Sequence, residues 1–177
     1  EDAADILYST IEKIGRERIR IDIASSIDFS EKHSRQILRE CLTKLGSKAD
    51  DETLASICET LLHFMLTAAI LPSERKVSFS GAELDIVIPS LKTLAKNPDK
   101  SLVIQITKKE NDVPKIVQAE SVQPVRENIW IVSSRPLVTR YRNYHLFQDG
   151  MSYHRIMRDI HDFVKSNGVR GLNLLHG

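Results

Sequence analysis

Pro72 divides this chain into two stretches whose apolar residues repeat with different periods, and that change constrains the fold more than any other feature. Ahead of it, Ile6, Leu7, Ile11 and Ile14 recur at helical spacing, and Gly15 with Arg16 ends that first helix. Asp28, Ser30 and Glu31 offer capping groups before a second run carrying Ile37, Leu38, Cys41, Leu42 and Leu45, which Gly46 closes. Asp50 and Asp51 open a third, with Leu54, Ile57, Leu61, Leu62, Met65 and Leu66 along it until Pro72 stops it. Only residues 18–23 break the pattern. Ile19, Ile21 and Ile23 alternate there with charged residues, and strict alternation predicts a half-buried strand.

Beyond Pro72 the period falls to two. Residues 76–80 alternate, Gly81 and Ala82 make a tight connection, and Leu84 to Ile88 form a second strand ended by Pro89. A short helix or turn fits 90–95, and Asn97, Pro98 and Asp99 break it. Residues 102–106 are apolar enough for a central strand, and 128–132 form another. A helix over 113–123 between those two predicts a parallel pair joined by a right-handed crossover. Arg135 and Pro136 are read as opening a helix, and 144–147 as a short edge strand. Ser152 is read as the cap of a last helix that presents Tyr153, Ile156, Met157, Ile160, Phe163 and Val164 to the core and closes at Asn167 and Gly168. The chain is therefore expected to be α/β. Residues 1–72 form a mainly helical region, and 73–177 a mixed sheet of four to five strands flanked by helices, with 51–72 joining that unit.

Composition narrows the function classes only a little. Lys and Arg number 25 against 24 Asp and Glu, so net charge neither demands nor excludes a nucleic acid. The surplus is in the last part, where residues 108–177 hold 11 basic and 7 acidic side chains. Cys41 and Cys58 both fall in helical segments without metal-ligand spacing, which predicts buried thiols in a reducing, cytoplasmic setting. No apolar run reaches the length of a membrane span, so no membrane partner is expected. Gly-rich nucleotide loops and the serine-hydrolase elbow are missing, which removes the usual support for those enzymes.

One stretch carries a family likeness. Glu83, Leu84, Asp85, Ile86, Val87, Ile88 and Pro89, followed about twenty positions later by Val103, Ile104, Gln105, Ile106, Thr107 and Lys108, resemble the PD-(D/E)XK nuclease superfamily, with the divergent archaeal-type members as the nearest place in it. The likeness runs roughly from 51 to 164 and implies a restriction-endonuclease-like core. Such an enzyme hydrolyses a phosphodiester with a hard divalent ion held by converging carboxylates, a positive group steadying water or phosphate. In the family an Asp opens one strand, and an acid and a Lys alternate on the next, where residues two apart share a face. Asp85 matches the Asp. Gln105 stands in the acidic slot as a weaker ligand, Thr107 shares its face, and Lys108 comes one residue late. Asp85, Gln105 and Lys108 are thus the implied catalytic set, with Lys115 from the following helix as the substitute for Lys108. Asp85, Glu59 and Glu83 are the implied metal ligands, Glu83 because it is expected on the face of Asp85. The implied cofactor is Mg²⁺ or Mn²⁺ if the site is active.

Arg140, Tyr141, Arg142 and Tyr144 interleave charge with aromatic rings, a combination suited to phosphate contact and base stacking. Arg140, Arg142, Tyr141 and Lys115 are accordingly the expected nucleic-acid-binding residues, with DNA or RNA as partner and a homodimer compatible with the resemblance. His154 and His161, seven apart among charged neighbours, read as a solvated helix face. The competing reading is an inactive nuclease-like fold that serves as a protein-interaction or scaffold module through its N-terminal helices.

Overall fold

In the computed structural model, which describes residues 2–108, 113–133, 136–146 and 150–167, local signals account for the N-terminal helices. Asp2 caps α1 (Ala3–Ile14) by accepting from the Asp5 N–H while the Asp5 carboxylate reaches back to the Asp2 N–H. Gly15, at φ 122°, lets the chain turn directly into α2 (Arg16–Ser25). That helix replaces the strand expected over 18–23. Ile19 and Ile23 are buried one helical turn apart, while Ile21 is 64% exposed; a strand would have put all three on one side. Within α2, Arg18 pairs with Asp22 at i,i+4 spacing and Arg20 with Glu17 at i,i+3, which favours the helix further.

α3 (Phe29–Leu45) and α4 (Asp51–Ala68) follow the expected apolar periods except at Leu42, which is exposed, and Asp50 caps α4 through the Thr53 N–H. α4 ends in a Schellman turn: Leu71 N–H donates to Leu66 O and Ile70 N–H to Thr67 O, with Ile70 at φ 58°. An isoleucine in that conformation is strained, and its side chain is mostly exposed. Ile70→Gly should therefore raise unfolding stability by about 1 kcal/mol, read from urea denaturation with unchanged m-value.

The second half builds one five-stranded sheet in sequence order: β1 (Glu74–Phe79), β2 (Ala82–Ile88), β3 (Leu102–Thr107), β4 (Ile129–Ser133) and β5 (Arg142–His145). β1, β2 and β3 pair antiparallel, and β3, β4 and β5 pair parallel. Ser80 and Gly81, both at positive φ, make the two-residue turn of the first hairpin. Every residue of β3 is buried, as its apolar sequence predicts for a central strand. Ile86, Ile88, Leu102, Ile104, Ile106, Trp130, Val132 and Tyr144 face one core with α1 to α4 and with α7 (Gly150–Ser166). Leu84, Val87, Val103, Ile129 and Ile131 face a second core under α5 (Leu91–Lys96) and α6 (Val113–Val122). The N-terminal helices thus share their core with the sheet.

Two expectations for helices in the C-terminal part also need correction. No helix forms over 136–141; Leu137 and Tyr141 instead pack onto the second core as the chain crosses from β4 to β5. Ser152 does not cap the last helix but lies inside its first turn, since α7 begins at Gly150. Arg135, Phe147 and Gly168, at the ends of expected elements, lie outside the described residues.

The alternation of β2 slips by one residue at Asp85. Ala82 and Leu84 face the second core, yet Ile86 and Ile88 face the first. Opposite this point Lys76 sits at φ 51°, and no Lys76–Asp85 pairing joins the neighbouring Arg75↔Ile86 and Val77↔Leu84 pairs. The kink puts Asp85 on the α6 side, as the alternation after it requires, and leaves Glu83 on the other side. The face that the sequence pattern has Glu83 and Asp85 sharing is therefore not shared.

Candidate functional site

Pairing between β2 and β3 stops at Ile86↔Ile104, and beyond it the strands diverge into a fork. Continued pairing would have used the backbone groups of Leu84, Asp85, Gln105 and Ile106; side chains take over that work. Asp85 N–H donates to Gln105 Oε1 at 2.8 Å, and Ile106 N–H donates to Asp85 Oδ2 at 2.7 Å. Gln105 Nε2 donates to both the Glu83 and the Lys115 carbonyls, each at 3.1 Å. Lys115 Nζ, arriving from α6, lies 2.6 Å from Asp85 Oδ2 and 2.6 Å from Ile106 O. Gln118, one turn further along α6, accepts from the Glu83 N–H at 2.9 Å.

Gln105 is fully buried, and its surroundings fix which end of the amide points where. One N–H and two carbonyl oxygens converge on it, so one acceptor and two donors are required there. An amide meets that demand. A carboxylate, having no donor, does not.

The structure brings Asp85, Gln105 and Lys115 together and sends the other expected residues elsewhere. Lys108 lies just past the end of β3, and the ammonium that reaches Asp85 is that of Lys115. Glu59 is buried against Arg75, whose Nε is 3.5 Å from Glu59 Oε1. Because Arg75 stands opposite Ile86, that pair belongs to the α4 side of the sheet. His63, one turn along α4, is held below the usual imidazole range by burial and by Arg75, with Glu59 opposing. The Glu83 carboxylate accepts from Ser78 Oγ. Nothing in the sequence marks Gln118 or Arg75, and only the fold reveals their places.

A divalent ion such as Mg²⁺ asks for near-octahedral oxygen ligands, usually with one or two carboxylates. The described residues do not fit it. Asp85 Oδ2 is already engaged by an ammonium and a backbone N–H, Gln105 Oε1 by another N–H, and Glu59 and Glu83 turn to other partners. Among the described residues no three His, Cys, Asp or Glu side chains gather as a cation would need.

Arg140 and Arg142 lie at the start of the outer strand, Arg142 as its first residue. Arg140 lies over the Tyr141 ring at 5.4 Å and reaches Glu120 at 3.0 Å, while Arg142 lies over Trp130 at 5.0 Å. Both side chains are more than half exposed. Tyr141 itself is buried beneath Arg140 and Arg126, so its ring is not presented to a base as the stacking expectation required. By strand register Asn143, next to Arg142, lies in the row of Gln105, two strand spacings or about 10 Å away. Among the described residues no helix is long and apolar enough to cross a membrane.

No protein-family model matches the chain, and no curated protein matches it in sequence. Solved structures do. Metal-depleted Ecl18kI in complex with uncleaved, modified DNA superposes with a TM-score of 0.61 at 7% identity, covering 95% of this chain and 80% of that one. The restriction endonuclease PspGI in its substrate DNA complex gives 0.61 at 11% identity, covering 94% of both chains. The fold is thus the mixed α/β fold of restriction endonucleases, consistent with the PD-(D/E)XK resemblance.

Proposed function

We propose that this chain, built on a restriction-endonuclease fold, binds DNA without cutting it. The observation that carries the reading is the buried amide of Gln105. At the position where a hydrolytic site would place a second carboxylate, its acceptor and both donors are engaged by backbone groups that a carboxylate would leave unmet. Asp85 is neutralised by Lys115, so the fork ties two strands together in place of gathering a metal. Support for DNA comes from the fold, shared over nearly the whole chain with two proteins seen in DNA complexes. The exposed guanidinium groups of Arg140 and Arg142, steadied over aromatic rings, suit phosphate contact.

Fluorescence anisotropy with labelled duplex DNA, and gels of the same samples in Mg²⁺ or Mn²⁺, test this directly. Binding without cleavage is expected. Arg140→Ala and Arg142→Ala should each weaken it and lower the salt-dependence slope by about one for each phosphate no longer neutralised. Metal-dependent cutting that disappears in Asp85→Asn would overturn the reading in favour of a nuclease. Binding of RNA but not duplex DNA would overturn the choice of partner.

A further inference from the structure

We infer that Arg126 joins Arg140 in a single phosphate-binding pair for a nucleic-acid backbone, with the Tyr141 ring as the seat that positions both guanidinium groups. The inference rests on the DNA-binding reading above and adds to it a residue, Arg126, and a positioning role for Tyr141. The guanidinium carbons of Arg126 and Arg140 lie 6.0 and 5.4 Å from the centre of that one ring. Cation–π attraction draws each of them there. Two like charges gathered on one ring repel each other, and an anion that both can reach relieves the repulsion. Glu120 neutralises only one of them, through Arg140 Nη2 at 3.0 Å. Arg126 is exposed, and among the described residues no carboxylate pairs with it. Its planar fork of N–H donors is thus left for a ligand, and phosphate oxygens match that fork.

The seat is fixed from both sides. Tyr141 is 6% exposed, packs in the second core, and its hydroxyl accepts from Arg140 Nη2 at 3.4 Å. Its N–H donates to Thr139 Oγ1 and its carbonyl accepts from Asn143 Nδ2. Arg126 opens the 3₁₀ turn Arg126–Asn128, which two buried amides tie to the chain ahead of β3. Gln123 Nε2 donates to the Pro98 and Ser101 carbonyls, and Asn128 Nδ2 to the Asp99 carbonyl. Arginines held on such a frame give up less side-chain freedom on meeting a phosphate than free ones do.

Fluorescence anisotropy with a labelled duplex over a salt series tests the pair. It compares the wild type with Arg126→Ala, Tyr141→Phe, Tyr141→Leu and Lys165→Ala, the last removing a cation from α7 beneath the opposite face of the sheet. Arg126→Ala should weaken binding roughly tenfold at low salt and lower the salt-dependence slope by about one, whereas Lys165→Ala should do neither. Tyr141→Phe keeps the ring and should bind as the wild type does. Tyr141→Leu fills the core without a π face and should lose at least as much as Arg126→Ala. A loss in Arg126→Ala no larger than in Lys165→Ala would overturn the inference and leave the DNA reading standing, as would undiminished binding by Tyr141→Leu. Should Tyr141→Leu not fold, Arg126→Ala, changed at an exposed side chain, still decides. Should the wild type bind no duplex, the DNA reading falls, and arginine Nε–Hε NMR with inorganic pyrophosphate decides the pair. Joint shifts of the Arg126 and Arg140 signals would keep the phosphate pair and refute its nucleic-acid source; unmoved signals would overturn the pair as well.

Discussion

Gln105→Glu should lower stability at neutral pH by about 3–5 kcal/mol, although it is nearly isosteric and restores the acid that the nuclease pattern asks for. The wild-type amide accepts from the Asp85 N–H and donates to the carbonyls of Glu83 and Lys115. Glutamate keeps the acceptor and loses both donors. Two buried carbonyls then face an anionic oxygen with no proton between them, in a place without solvent exposure. A protonated glutamate would restore one donor, so the folded state favours the neutral acid and raises the folded pKa of this side chain above its unfolded value. The sign follows: the neutral form stabilises at low pH, and that contribution is lost as pH rises through the raised value. Urea unfolding across an acidic-to-neutral pH series should show the variant closing on the wild type as pH falls. Wild-type stability at pH 7, accompanied by Mn²⁺ binding, would mean that the fork tolerates a carboxylate and that its amide is not structural.

Parts of this arrangement are legible in the residues and parts are not, for physical reasons. β3 is legible because six consecutive residues suited to burial, flanked by breakers, fit a strand covered on both faces. The segment of α2 is misread because Ile19, Ile21 and Ile23 satisfy two periods at once. Packing against α4 decides between them, burying the pair one helical turn apart and leaving Ile21 outside. The crossing from β4 to β5 is misread for a related reason. Its apolar residues, Leu137 and Tyr141, are spaced for a helix but are used one by one to cover the second core.

The fork is half visible in the chain. Asp85 and Gln105 stand out by spacing, and Lys115 is conspicuous as a cation at the start of a helix. What no pattern announces is the slip at Lys76, because lysine is not a residue that advertises positive φ. That slip separates Glu83 from Asp85 and aims Asp85 at α6. A sheet read as regular places the two carboxylates together and so suggests a metal site. Among the described residues, the irregular sheet gives a single carboxylate paired with the ammonium of Lys115. Glu59 is equally unreadable, since its partner Arg75 lies on β1, beyond the end of α4, and no local pattern pairs the two.

Asp85→Ala separates these two pictures by the sign of its effect on stability. Where several carboxylates converge without a bound metal, they repel one another, and removing one relieves that repulsion, so the variant is as stable as the wild type or more so. In this fork Asp85 meets one ammonium and one backbone N–H, with no second carboxylate among its described neighbours. Its removal leaves the Ile106 N–H without its acceptor and Lys115 without its counter-ion in a setting only 15–26% exposed. The expected loss is about 2–4 kcal/mol, reduced from the fully buried case because water still reaches part of the pair. Lys115→Met should cost less, since Asp85 keeps its N–H donor and the methionine refills the space. The double variant Asp85→Ala/Lys115→Met should be more stable than the sum of the two single losses predicts, by roughly 1–2 kcal/mol, because the second change removes a charge already stranded by the first. Chemical denaturation of all four proteins measures this coupling without reference to any substrate. A stabilised Asp85→Ala, or a double variant whose losses simply add, would mean that Asp85 and Lys115 do not hold the fork as a unit.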